Sequence, residues 1–132
     1  MCVFVAKNSY AVYTEDRLEM EDSIVYAYSG NNDGVHAQGS NVTYIGNGLY
    51  RFATNGNDDD CAAIDTTGQL IINGANIETC APGGVGVLKT LGRITMNSGL
   101  LRHRSSMDFK KDFFIGRELL DAYGLLMSWN SV

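Results

Sequence analysis

The stretch Gln69-Leu70-Ile71-Ile72-Asn73-Gly74 places apolar residues at its second and fourth positions and closes on a turn-forming Asn-Gly pair, with Gly68 just ahead of it. Period-two apolar residues held between turn formers mark a short strand with one buried face. The same block stands at three other places: Arg17-Leu18-Glu19-Met20-Glu21-Asp22, Asn41-Val42-Thr43-Tyr44-Ile45-Gly46 and Arg93-Ile94-Thr95-Met96-Asn97-Ser98. The blocks start 24, 28 and 24 residues apart, and Asp16, Ser40, Gly68 and Gly92 precede them.

Each block carries two companions. An apolar residue follows its first apolar position by seven: Val25, Leu49, Ile77 and Leu101. A further strand-like segment precedes it: Ala11-Val12-Tyr13-Thr14, Gly34-Val35-His36-Ala37, Ala62-Ala63-Ile64-Asp65 and Gly86-Val87-Leu88-Lys89. One period therefore holds three short strands and three turns, and Cys2–Ala6 reads as half of a preceding coil. A fixed period of this length is the signature of stacked repeats. The long period has a local cause, because Asn55-Gly56-Asn57-Asp58-Asp59-Asp60 stands where its neighbours have Gly30-Asn31-Asn32-Asp33 and Pro82-Gly83-Gly84.

These spacings predict an all-β fold, a short single-stranded parallel β-helix of about four coils over residues 1–104. From 105 the pattern changes. Phe109, Phe113, Leu120, Tyr123 and Met127 recur at three, four or seven residues, which suits a helix face, with Ser106 as its N-cap. Residues 105–132 thus read as a C-terminal helical cap. The run from Ala62 to Gly74 resembles the coils of parallel β-helix proteins, a group that includes pectate-lyase-like enzymes, carbohydrate-binding β-helices and phage tail or spike proteins. That resemblance is one of coil architecture and implies no particular activity.

Composition bounds the rest. The chain has 132 residues, 45% of them apolar and 19% charged, which fits a folded domain rather than a disordered chain. Fifteen glycines against one proline fit a molecule built on tight turns. No apolar run is long enough to cross a bilayer, and Cys2–Ala6 is too short for a secretory signal core. The expected setting is the cytoplasm or a virion, with no membrane contact. Cys2, Cys61 and Cys80 form no CxxC and read as reduced thiols. The net charge of −5 is uneven. Residues 1–84 hold three basic side chains against eleven acids, and residues 85–132 hold seven against four.

No catalytic constellation or cofactor motif emerges. Asp33 and the run Asp58, Asp59 and Asp60 form an acidic turn whose oxygens suit calcium, though the spacing of a helix–loop–helix calcium site is absent. Tyr26 and Tyr50 fall at equivalent repeat positions, with Tyr28 beside them, and would form an outward aromatic stripe suited to a sugar face or a protein partner. His36 and His103 have no Cys or His at ligand spacing, which argues against zinc. The basic cluster Arg102-His103-Arg104 with Lys110 and Lys111 is too sparse for nucleic-acid binding. The sequence therefore reads as a non-enzymatic structural or binding protein, a phage tail, spike or capsid-decoration subunit that self-associates or meets a protein partner through an uncapped leading end. The alternative is a small carbohydrate-binding or carbohydrate-active β-helix.

Overall fold

The computed structural model describes residues 1–57, 61–83, 85–89 and 94–103. Among these residues ten strands follow one another: β1 (Cys2–Ala6), β2 (Val12–Thr14), β3 (Leu18–Met20), β4 (Ser23–Ser29), β5 (Val35–Ala37), β6 (Thr43–Thr54), β7 (Ala62–Thr66), β8 (Leu70–Cys80), β9 (Val85–Lys89) and β10 (Ile94–His103). One sheet runs β1-β4-β6-β8-β10 with β3 also on β6, and the other runs β2-β5-β7-β9. Every pairing is parallel. Parallel neighbours separated by a full coil are what a solenoid requires, so the chain is an all-β parallel β-solenoid of about four coils. The helical cap expected over 105–132 lies outside the described residues.

Alternation builds the core. In β4 the pattern places Val25, Ala27 and Ser29 inside and leaves Ile24 and Tyr28 exposed. Stacking then turns each inward residue into a column. Val12, Val35, Ile64 and Val87 line the second sheet, and Val25, Tyr50, Ile77 and Leu101 face them from the first. Phe52, Ile45, Ile72, Leu70 and Ile94 fill the space between, fully buried. Burying such side chains contributes roughly 1.5–3 kcal/mol each.

Two details depart from the sequence reading. The second repeat block slips by one residue: Leu18 pairs with Thr43 rather than Val42, and Thr43 with Leu70. Since strand side chains alternate, a one-residue slip exchanges the two faces. Thr43, Ile45 and Tyr50 therefore point inward, while Leu49 is exposed. The corner sets this phase. Gly48, at φ 145°, aligns with Ser23 and Ala75, so the strand turns in two residues later, at Tyr50. The third copy of the short strand slips likewise, since Val35 pairs with Ile64. Three separate strands per coil are seen only in the first, as β2, β3 and β4. Later coils merge the last two into β6, β8 and β10, which continue round the corner through a bulge where Gly46 pairs with both Asn73 and Gly74.

The expected insertion stands where the sequence placed it. Fourteen residues separate inward Tyr50 from inward Ile64, against ten from Val25 to Val35 and from Ile77 to Val87. The neighbouring corner is tied by hydroxyls. Ser29 Oγ donates to the Ser9 carbonyl at 2.6 Å, and Thr54 Oγ1 donates to the Asn32 carbonyl one coil on. Ser29 and Thr54 are paired in the ladder, so one residue position serves the same turn in successive coils.

Candidate functional site

Among the described residues, a polar cluster lies on the outer face of the second sheet. Tyr13, His36 and Asp65 occupy one register row across β2, β5 and β7. Asp33 joins them from the turn just before β5. Its turn is pinned by Gly34, whose N–H donates to the Ala62 carbonyl at 3.0 Å and whose carbonyl accepts from Val12 N–H at 3.0 Å. A Cβ at Gly34 would stand 2.6 Å from the Ala63 carbonyl oxygen, so the close backbone approach requires glycine.

Asp33 is only 2% exposed, which corrects its expected place on a solvated acidic turn. One carboxylate oxygen, Oδ1, accepts from the Ala62 backbone N–H at 2.7 Å. The other, Oδ2, lies 2.7 Å from His36 Nδ1. Asp65 Oδ2 approaches the same ring nitrogen at 3.3 Å. On the far side of the imidazole, Nε2 stands 3.3 Å from Gln38 Oε1. Tyr10 stacks on the imidazole with centroids 4.4 Å apart, and Tyr13 packs at 5.6 Å with the rings within 8° of parallel. The Glu15 carboxylate beside the Tyr13 hydroxyl, more than burial, holds that phenol above the usual tyrosine range. Asp58, Asp59 and Asp60 lie outside the described residues.

The tyrosines singled out in the sequence do not share a stripe. Tyr26 pairs with Arg51, not Tyr50, and the Arg51 guanidinium lies 5.1 Å over its ring. Arg51 also bridges to Glu78 at 2.9 Å one coil further. Tyr28 is exposed beside Ala53. Tyr50 is buried and donates its hydroxyl to the Asn47 carbonyl at 3.0 Å. Burial, chiefly, raises its pKa above the usual value. What remains on this wall is a shallow groove lined by Tyr26, Arg51, Asn76, Glu78 and Arg102. The chain does build an aromatic stack, Tyr10–Tyr13–His36, and the repeat alignment already set Tyr13 opposite His36. What the slipped third repeat hid is Asp65, because it set Ile64 beside His36 instead.

The leading rim is the third feature. β1 pairs with β4 on one side, and among the described residues no strand pairs its other side. Val3 and Val5 are 59% and 71% exposed, and Met1, Phe4, Ile24 and Leu49 add further exposed apolar surface. Cys2 is exposed on this strand, Cys61 is buried and Cys80 is half-buried. Among the described residues, no helix is long and apolar enough to cross a membrane. No family model, curated protein or solved structure matches this chain.

Proposed function

We propose that this protein is a non-catalytic structural or binding β-helix that assembles through the free side of β1, receiving a parallel strand from a second copy or a protein partner. The supporting observation is the combination on β1 of unpaired backbone and exposed valines. A sheet edge of this kind is a ready template for pairing with another chain. Self-association is the occupant we favour, because among the described residues β10 ends the same sheet at its opposite side with parallel polarity. The segment from residue 85 onward is also net basic, whereas the leading part is acidic. End-to-end stacking would continue the solenoid and bring opposite charges together. A virion setting as a tail, spike or capsid-decoration subunit is supported by the resemblance of the coils to those of tail and spike β-helices.

Light scattering coupled to size exclusion tests this. The wild type should form assemblies that grow with concentration and weaken at high salt. A Val3→Lys/Val5→Lys variant should be monomeric with an unchanged circular dichroism spectrum. A wild type that stays monomeric at high concentration in both low and high salt overturns the reading.

The second reading, a carbohydrate-binding β-helix, rests on the Tyr26–Arg51–Glu78 groove. It predicts glycan-array binding that is lost on Tyr26→Ala and unaffected by Val3→Lys/Val5→Lys.

A further inference from the structure

We propose that Asp33, His36 and Asp65 form a binding site for a divalent transition-metal ion of the Zn²⁺ or Mn²⁺ type. One ligand atom from each of the three residues lies within 4.8 Å of the others, and the Oδ2 atoms of Asp33 and Asp65 both approach His36 Nδ1. They come from a turn and two strands that stacking brings together across 32 residues of sequence.

The hydrogen bonding around the imidazole carries the argument. Gln38 Oε1 is an acceptor 3.3 Å from Nε2, a contact that the tautomer carrying its hydrogen on Nε2 satisfies. In that tautomer the neutral ring presents its lone pair at Nδ1, and that lone pair faces two carboxylate oxygens at 2.7 and 3.3 Å. Three acceptor atoms converging on one point repel one another unless a proton or a metal ion sits between them. A polar partner on the distal nitrogen that fixes the tautomer is also the usual companion of a metal-bound histidine. Asp33 is oriented the same way, because Ala62 N–H occupies Oδ1 and leaves Oδ2 directed at the ring.

Separation and donor type agree. At metal–ligand bonds of about 2.0–2.1 Å, ligands at tetrahedral or right angles stand about 2.8–3.4 Å apart. The two contacts to Nδ1 are close to that range. One imidazole with two carboxylates suits zinc, manganese or iron(II), whereas calcium and magnesium favour all-oxygen shells. Three protein donors leave part of the coordination shell to water or an added ligand. A second proton on the imidazole is the competing way to satisfy the same geometry, and the two are separable.

The test is metal binding by the full chain after chelator treatment. Titration with Zn²⁺ should show one equivalent bound, and Co²⁺ should give visible d–d absorption that Zn²⁺ displaces. His36→Gln and Asp65→Asn should each weaken binding more than tenfold, and Gln38→Leu by about tenfold to a hundredfold, the range expected for a group that orients a ligand. Circular dichroism checks that each variant is folded. Nitrogen NMR of the His36 ring in the wild type needs no variant at all: a large Nδ1 shift on adding Zn²⁺ supports the site. An imidazolium unmoved by excess Zn²⁺ overturns the proposal, as does binding of equal strength in wild type and His36→Gln.

Discussion

His36 Nδ1 and Asp33 Oδ2 stand 2.7 Å apart, and the opposite oxygen of the same carboxylate takes the Ala62 backbone N–H, also at 2.7 Å. One buried side chain thus ties the turn before β5 to the start of β7 in the next coil. Removing it has two separable effects. Asp33→Ala leaves the Ala62 N–H buried and unpaired, a loss of about 1–3 kcal/mol. Asp33→Asn can keep an oxygen on that N–H and should cost clearly less. Urea denaturation of the two variants checks the order; equal losses would mean that the backbone bond contributes nothing.

Phe52 is fully buried near the C-terminal end of β6, within the core packed between the two sheets. Phe52→Ala should lower stability by about 3–5 kcal/mol, through lost burial and the cavity left behind. Phe52→Leu keeps most of the volume and should cost less than about 1.5 kcal/mol. Chemical denaturation midpoints provide the measurement.

Gly48 turns the corner of its coil at φ 145°, and a Cβ there would stand 2.2 Å from the Ser23 carbonyl oxygen. Backbone, not a flexible side chain, blocks the space. Gly48→Ala should therefore destabilise by about 2 kcal/mol or more. Asn76→Ala, at an exposed position of β8, should stay within about 0.5 kcal/mol of wild type. Thermal melts of the pair would expose the contrast.

Tyr50 carries a pKa raised chiefly by burial. The folded state thus holds the phenolic proton more tightly than the unfolded chain does. The resulting stability is fully present below the unfolded value of about 10 and is lost as pH rises through the folded pKa. Denaturation from pH 8 to 11 should show stability falling above pH 10. In Tyr50→Phe that fall should be shallower, from a neutral-pH baseline lowered by about 1 kcal/mol because the Asn47 carbonyl loses its donor. An unchanged alkaline slope in the variant would exclude Tyr50 as its source.

Much of the fold was legible in the linear pattern. Leu18, Leu70 and Ile94 each open an alternating block after a turn former, and that alternation alone announces strands with one wet and one dry face. The recurrence of the block announced the coils, and the four extra residues between β6 and β7 were visible as a longer turn. Register was not legible where both phases were apolar enough. Val42 with Tyr44 and Thr43 with Ile45 both read as a strand, and hydropathy could not separate them. The positive-φ corner at Gly48 decided between them. That single phase choice sent Tyr50 into the core and dissolved the expected tyrosine stripe.

The candidate metal cluster belongs wholly to the tertiary level. Along the chain, His36 has Asp33 nearby and Asp65 lies 29 residues on, at no ligand spacing a motif would flag. Coil stacking sets β5 directly beside β7, and in-register parallel pairing turns that separation into a contact. The sequence by itself determined that these strands would form and stack, because alternation and turn residues act locally. Which side chains meet across the stack was settled by corner geometry and register, since a shift of one residue moves every side chain to the opposite face.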